Sequence, residues 1–167
     1  AVIRARFDWI DENSNNKVLL EERRQLIVMP LTDDQWLLLI DLEVTPAGER
    51  VTFGKTPFGL VGVRMAKTIG VHDGGGRILN SADARNEKEI FWKPAKWVDY
   101  SGPIAQGRTG GITLMDHPTN PNHPSGFHVR NDGWMGASLT LDDALVVKKG
   151  QPLRLRYGLH MHTGVPA

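Results

Sequence analysis

The sequence predicts an all-β protein, built as an antiparallel β-sandwich with little helix. Apolar and polar residues alternate along much of the chain, as they do in strands that bury one face. Turn-forming clusters separate these segments, and the chain holds 18 glycines and 10 prolines. Helical periodicity is scarce. These observations predict about ten to twelve short strands, with helix in under about 15% of the residues.

The N-terminal third shows this pattern clearly. In residues 1–10 the apolar side chains, among them Phe7 and Trp9, fall on one side of an extended chain. That alternation predicts a half-buried strand. The polar cluster at 11–16 predicts a turn that leads into a second strand. Residues 36–44 begin with apolar side chains on both faces, which predicts a central strand.

The rest of the chain is divided by turn signals. Strands are expected near 49–53 and 59–69. Residues 72–76 (HDGGG) are rich in residues that tolerate positive φ and predict a hairpin connection. Residues 81–95 are interpreted as a surface loop, with a helical turn as the alternative. Further strands are expected near 96–100, 111–116, 127–130, 134–141 and 152–162.

Length and charge limit the classes of function. A chain of 167 residues fits one domain over 1–167. There are 20 Lys and Arg against 19 Asp and Glu, so we expect no nucleic-acid partner and no polybasic membrane docking. No apolar run approaches the roughly 20 residues of a membrane span, so a soluble protein without membrane insertion is expected. The oligomeric state is left open. So is the localisation, for which the bacterial periplasm or secretion is one option.

Cysteine chemistry is excluded because the chain contains none. Histidine, which titrates near neutrality and often binds metals, is concentrated instead. Five of the six histidines lie in two stretches, 110–134 and the C-terminal strand. They are His117, His123, His128, His160 and His162.

Alternation predicts where these histidines point. Phe127 and Val129 are expected to face the core, so His128 and Arg130 should face outward. In the last strand, the apolar positions form one face. The polar positions Arg154, Arg156, His160 and His162 form the other. Such a face is either a solvated surface or a ligand groove, in which arginine holds carboxylate or hydroxyl groups and histidine moves protons.

A metal site in the proline-rich loop has a geometric problem. Prolines recur at 118, 121 and 124, which favours a polyproline II path. On that path His117 and His123 would be roughly 19 Å apart, too far to share one ion. The pair His160 and His162 has a spacing that can chelate. We expect no metal and no cofactor, and keep metal binding as an alternative.

A second candidate cluster lies at residues 92–102. Trp97 and Asp99 are expected on one strand face. An aromatic ring beside a carboxylate is a common arrangement for binding sugars, because rings stack on C–H groups and carboxylates accept hydroxyl hydrogen bonds. The alternative is that Trp97 anchors the core and Asp99 caps a turn.

Several stretches resemble a bacterial family named methane oxygenase PmoA. The resemblance covers most of the chain, and its pieces include KWVDYSG (96–102), DHP (116–118), FHVR (127–130) and HTG (162–164). It implies a sandwich similar to the galactose-mutarotase-like supersandwiches and a link to carbohydrate metabolism. It also implies that this chain corresponds to the C-terminal portion of longer family members. Family members often have Trp where this chain has Phe127.

These observations lead to one functional hypothesis and two alternatives. The hypothesis is a protein that binds or processes a carbohydrate, or another small polar ligand, by proton transfer; as an enzyme it would be an epimerase, lyase or hydrolase. The alternatives are a non-catalytic carbohydrate-binding module and a metal-dependent oxidoreductase, as the family name suggests. The candidate catalytic residues are His117, His128 and Arg130. The candidate substrate-binding residues are Trp97, Asp99, Asn120, His123, Arg154, His160 and His162.

Overall fold

The computed structural model describes residues 1–164 and consists mostly of strands. Strands account for 58% and helix for 7% of the residues, which confirms the predicted all-β class. The strands are β1 (Val2–Asp11), β2 (Lys17–Thr32), β3 (Gln35–Pro46), β4 (Arg50–Phe53), β5 (Val61–Arg64), β6 (Arg77–Asn80), β7 (Trp97–Ala105), β8 (Arg108–Asp116), β9 (Gly126–Val129), β10 (Trp134–Ser138), β11 (Leu145–Lys148) and β12 (Leu153–Thr163). One helix, α1 (Asn86–Ile90), and the 3-10 turns Glu12–Ser14 and Lys67–Ile69 complete the elements of this range.

Three antiparallel sheets form two layers. The first layer is a seven-stranded sheet in the order β1-β2-β3-β12-β8-β7-β6. The second layer contains a three-stranded sheet, β5-β10-β9, and a two-stranded sheet, β11-β4. The prediction that residues 36–44 form a central strand is confirmed, because β3 lies between β2 and β12.

The core lies between the layers. The apolar face of the large sheet supplies Val44, Val98, Leu114 and Tyr157, and each is completely buried. The covering sheets supply Phe127, Val129, Met135, Ala137 and Val147. Burying one such large side chain contributes about 1.5–3 kcal/mol. The opposite side of the large sheet points away from the second layer.

That other side of the seven-stranded sheet is here called the open face. Strand register arranges its side chains in rows that run across the strands, because directly paired residues point to the same side. Two rows are rich in arginine: Arg6, Arg23, Glu43 and Arg154, then Arg4, Gln25, Asp41 and Arg156. The next row is mostly apolar: Ile27, Leu39, Gly158, Met115 and Trp97. The last two contain His160, Thr113 and Asp99, then His162, Gly111 and Ser101.

The prediction of a half-buried first strand is wrong. The apolar side chains of β1 are largely exposed, at 56% for Ile3, 44% for Phe7 and 36% for Trp9. β1 is the edge strand, and the second layer reaches it only near Trp9, whose ring meets that of Phe53 at 6.3 Å. The alternation is present, but the layer that would bury this end of β1 does not extend over it.

Two further local predictions are also wrong. Residues 72–76 do not join two paired strands, because β5 pairs with β10 and β6 pairs with β7. They form a turn in which the Gly74 amide donates to the Gly70 carbonyl at 2.8 Å. The predicted loop at 81–95 contains α1, whose Ile90 is fully buried. No helix in the described part of the chain is long and apolar enough to cross a membrane.

Candidate functional site

A groove of about 700 Å³ lies on the arginine-rich end of the open face. β1, β2, β3 and β12 form its floor, and Thr119 of the loop after β8 lies at its edge. We call it the arginine groove, and its polar side chains on the open face are Arg4, Arg6, Arg23, Gln25, Asp41, Glu43, Arg154 and Arg156. The volume falls within the range of about 300–1,000 Å³ that is typical of small-molecule sites.

Two carboxylates organise part of this groove. Arg156 donates to both oxygens of Asp41, at 2.6 and 2.9 Å. This bidentate contact lowers the pKa of Asp41. Desolvation opposes the shift, and the attraction of nearby positive charge adds to it. Glu43 accepts from Arg154 at 2.8 Å and lies 3.6 Å from Arg23. These contacts fix the two β12 arginines against β3.

The remaining arginines of the groove lack a carboxylate partner. Arg4 donates to the side-chain oxygen of Gln25 at 2.8 Å. The Arg6 guanidinium makes no hydrogen bond or ion pair with any residue of the 1–164 range. Arg6 also lies directly opposite Arg23 in the β1–β2 ladder. Unneutralised guanidinium groups in a concave site attract anions.

The next row separates the arginine groove from the histidines at the other end of the open face. Gly158 lies at its centre, between Leu39 on β3 and Met115 on β8, and Trp97 follows on β7. A Cβ atom at Gly158 would lie 2.8 Å from the Met115 side chain. The absence of a side chain at this position lets Met115 lie flat across the face. We call this row the apolar strip.

Beyond the apolar strip, His162 and Asp99 form a hydrogen-bonded pair. His162 Nε2 lies 2.7 Å from Asp99 Oδ1, and Thr113 donates to the same oxygen at 2.8 Å. Asp99 is fully buried, and its Oδ2 has no hydrogen-bond partner in the described range. Because a carboxylate accepts, the proton of a neutral His162 ring lies on Nε2 and the lone pair on Nδ1. We call this the His162–Asp99 pair.

His160 lies beside this pair. Its Nε2 is 3.1 Å from the side-chain oxygen of Gln35, and its ring centre is 5.4 Å from that of His162. Burial and then the neighbouring His162 lower the pKa of His160. Alternation predicted that Trp97 and Asp99 share a face of one strand, and that Arg154, His160 and His162 share a face of another. Strand pairing brings the two sets onto the same face of the sheet.

The proline-rich loop does not follow a polyproline path, so that prediction is wrong. It forms consecutive turns in which the Asn120 amide donates to the His117 carbonyl at 2.9 Å and the His123 amide to the Asn120 carbonyl at 3.3 Å. His117 Nδ1 lies 2.8 Å from the Thr119 hydroxyl. Thr119 lines the arginine groove, so His117 lies near its rim.

Asn120 and His123 point into the protein instead. Both contact the buried carboxylate of Asp116: Asn120 Nδ2 donates to Oδ1 at 2.7 Å, and His123 Nδ1 lies 3.0 Å from Oδ2. The backbone amide of Ser125 also donates to Oδ2, at 3.0 Å. These contacts fold the loop back onto the end of β8. The two side chains proposed from the sequence to bind substrate hold the loop in place.

The structure does not bring His128 and Arg130 to the open face. Both belong to the second layer, on the side away from the large sheet, because Phe127 and Val129 face the core. His128 faces away from the core as predicted, but the expectation that it is exposed is wrong, since only 9% of it is accessible. Phe58 and Phe91 cover the ring, with centres at 4.9 and 5.1 Å.

His128 and Arg130 differ in their polar contacts. Burial and then the nearby Arg130 lower the pKa of His128. The Nδ1 atom of His128 has no partner in the described range. Arg130 forms an ion pair with Glu87 of α1 at 3.2 Å. Of the proposed catalytic residues, His128 and Arg130 therefore lie near each other against Phe91, whereas His117 lies near the rim of the arginine groove.

Sequence reasoning missed most of the arginine groove. Arg4, Arg6 and Arg23 lie on the polar side of strands, where alternation alone does not distinguish a ligand site from a solvated surface. Strand pairing brings them beside Arg154 and Arg156 from the far end of the chain. The sequence feature that could have indicated the groove is the pair of arginines at alternate positions of β1, Arg4 and Arg6. Within residues 1–164, no group of three or more His, Asp or Glu side chains is arranged to hold a metal ion.

Comparison with known proteins places the chain in a family whose function is open. Searches of curated proteins and of solved structures each found no match. The profile of DUF6807, a family of unknown function, matches residues 1–167. The match spans the arginine groove, the apolar strip and the His162–Asp99 pair. The chain belongs to the DUF6807 family.

Proposed function

We propose that this protein binds a carbohydrate across the open face and carries out proton transfer on it, with His162 as the general base. The observation that carries the proposal is the His162–Asp99 pair, set on the same face as the arginine groove and the apolar strip. It resembles the histidine–carboxylate arrangement of general acid–base catalysis. Side-chain alternation and strand pairing put the His162–Asp99 pair, the arginine groove and the apolar strip on one face of the sheet.

The chemistry follows from the hydrogen bond. Asp99 holds the Nε2–H of His162 at 2.7 Å, which leaves Nδ1 to accept a proton from a C–H or O–H group of the substrate. The imidazolium that forms is stabilised by the buried carboxylate. Only 5% of the His162 side chain is exposed, so a bound sugar would complete its shielding from water. In a lyase or hydrolase the imidazolium then protonates the oxygen that departs as its bond to carbon breaks. In an epimerase it returns the proton to the opposite face of the deprotonated carbon, after that intermediate has turned in the site.

The rest of the open face suits a sugar ligand. The apolar strip, which includes Trp97, offers a surface for the C–H faces of sugar rings. The guanidinium groups bind the polar edges of the rings. Arg156 and His162 are six positions apart on β12, about 20 Å along a strand. A ligand that contacts both ends is therefore of oligosaccharide size. His117 near the rim contacts such a ligand from the loop.

The test combines turnover and binding assays on a panel of oligosaccharides with the variants His162→Gln and Asp99→Asn. We expect both variants to lower turnover by about 100-fold or more and to keep most of the affinity. His72→Gln is the matched control, because its side chain is 78% exposed on the turn at 71–75 and touches neither feature. Its turnover should be unchanged.

The outcomes separate the three hypotheses. Binding by the wild-type chain without turnover favours the non-catalytic module and refutes proton transfer. Elemental analysis that finds one tightly held transition metal per chain favours the oxidoreductase. Absence of binding to every saccharide on the panel refutes the carbohydrate proposal itself.

A further inference from the structure

We infer that the ligand of the open face is an acidic carbohydrate, whose carboxylate or sulfate groups bind in the arginine groove. This inference rests on the proposed function and names the ligand class of the same site. It starts from a charge imbalance. Five guanidinium groups of the open face line the groove, and the carboxylates among its described lining residues are Asp41 and Glu43. Asp8 and Glu21 pair in the next row of the same face and do not line the groove. The groove therefore carries an excess of three positive charges, whereas the whole chain has a formal charge of +1.

The imbalance is not resolved by contacts elsewhere in the fold. Asp41 is taken by Arg156, and Glu43 is shared by Arg154 and Arg23. Arg24 also borders the groove, but its side chain donates to the buried Glu22 on the opposite face of the sheet. Arg4 and Arg6 contact no carboxylate.

One pair of positions is unfavourable for folding. Arg6 and Arg23 are direct partners in the β1–β2 ladder, and like charges directly opposite each other destabilise a sheet. Glu43 lies 3.6 Å from Arg23 and does not contact Arg6. Placing Arg6 opposite Arg23 therefore does not contribute to the stability of the fold. An anion bound between the two guanidinium groups would convert repulsion into attraction.

The geometry selects the type of anion. Guanidinium forks bind planar carboxylates and sulfate or phosphate oxygens through paired hydrogen bonds. In the two arginine-rich rows, guanidinium groups stand on three strands, β1, β2 and β12. They can hold acidic groups on successive residues of a chain ligand. The groove runs directly into the apolar strip, so the same ligand places uncharged rings against Trp97.

A nucleic acid fits this surface less well. Proteins that bind single strands stack several bases on successive aromatic rings. Trp97 is the single aromatic residue in the five rows of the open face named above, and it is only partly exposed.

The first arm of the test compares ligands of equal length by calorimetry. The probes are a uronic-acid oligosaccharide, its carboxyl-reduced neutral counterpart, a sulfated oligosaccharide and a single-stranded DNA. We expect at least one of the acidic saccharides to bind about tenfold or more tighter than the neutral one. This preference should weaken between 50 and 300 mM salt, since exposed charges are screened. The uronic-acid and sulfated probes identify which acidic group is bound.

The second arm uses Arg6→Gln and Arg23→Gln, with Arg50→Gln on β4 of the second layer as the control. We expect either groove variant to lower the affinity for the acidic saccharide by about tenfold. The melting temperature should stay constant or rise, because the variant removes repulsion from the ladder. A purely structural role would lower the melting temperature and leave the affinity of the folded protein unchanged. The Arg50 variant should match the wild type in affinity.

The outcomes distinguish this inference from the proposed function. Equal affinity for the neutral and acidic saccharides overturns the inference and leaves the carbohydrate function standing. DNA binding as tight as that of the acidic saccharides also overturns it. Loss of melting temperature in Arg6→Gln and Arg23→Gln without loss of affinity assigns the arginines to the fold. If no saccharide binds at all, the proposed function fails together with the inference.

Discussion

At the scale of single residues, two buried tyrosines have opposite surroundings. Tyr100 and Tyr157 are both completely buried. The Tyr100 hydroxyl donates to the Asn131 carbonyl at 3.0 Å and accepts from the Val71 amide at 3.1 Å. The Tyr157 hydroxyl has no partner in the described range. Burial raises the pKa of Tyr157, and the nearby Asp116 raises it further, so the hydroxyl keeps its proton.

This contrast predicts opposite effects of the same substitution. Tyr100→Phe should lower the free energy of unfolding by about 1–3 kcal/mol, because it leaves the Val71 amide without its acceptor and removes the hydroxyl's bond to the Asn131 carbonyl. Tyr157→Phe should leave stability unchanged or raise it by up to about 1 kcal/mol, since it removes a buried unpaired hydroxyl. Urea denaturation of both variants measures the difference. Equal losses would show that Tyr157 has a hydrogen bond.

Alternation predicted the side of a strand better than it predicted exposure. It placed Trp97 and Asp99 on one face, and His160 and His162 on one face, as the structure has them. Alternation did not predict that His128 is buried, because the sequence of β9 does not indicate that Phe58 and Phe91 cover the ring. Those contacts come from distant segments. A local pattern reports direction, and exposure depends on what packs above.

At the scale of elements, the loop after β8 does part of the work of a strand. β8 ends at Asp116, which pairs with Tyr157 of β12. At Arg156, the residue of β12 that precedes Tyr157, the Asn120 side chain provides the hydrogen bonds instead. Its Oδ1 accepts from the Arg156 amide at 2.8 Å, and its Nδ2 donates to the Arg156 carbonyl at 2.7 Å. A side-chain amide thus replaces the backbone of a neighbouring strand.

This role predicts a large cost for Asn120→Ala. The variant loses the two bonds to Arg156 and the one to Asp116, and all three partners lie in a part of the fold that water reaches poorly. The free energy of unfolding should fall by about 2–4 kcal/mol. Thr119→Ala, in the same loop, removes an exposed contact with His117 and should cost within about 0.5 kcal/mol. Chemical denaturation compares the two; similar small losses would contradict the bridging role.

The strands were more predictable than their connections. The expected strand near 152–162 is β12 (Leu153–Thr163), and the turn at 131–133 joins β9 to β10. The hairpin at 72–76 failed because β5 pairs with β10, far along the chain. The polyproline path failed because the buried Asp116 draws Asn120 and His123 toward it. Both errors come from long-range contacts.

At the scale of the whole molecule, the large sheet extends past its covering layer. β12, β8 and β7 contribute completely buried residues to the core, among them Tyr157, Leu114 and Val98. β1 contributes none, and its only strand partner is β2. The arginine groove spans this unevenly supported region, from β1 to β12. It exists only when the first and last strands are assembled, which is why the sequence alone did not show it.

This asymmetry predicts a gradient of local stability across the sheet. An edge strand with few buried contacts opens at lower free energy than the strands at the centre. Amide hydrogens of Val2–Asp11 should therefore exchange at least about tenfold faster than those of Leu153–Thr163. β1 is paired on one side, with β2, whereas β12 is paired on both sides, with β3 and β8. Hydrogen exchange followed by mass spectrometry measures both segments in one experiment.

A core variant tests whether the two regions open separately. Val129 is completely buried between the layers, and Val129→Ala should cost about 1–3 kcal/mol by leaving a cavity. Exchange in β12, which requires the core to open, should accelerate by a corresponding factor. Exchange in β1 should change little, because its opening does not disrupt the core. Equal acceleration in both strands would mean that the sheet opens as one unit, and the arginine groove would then be as rigid as the core beneath it.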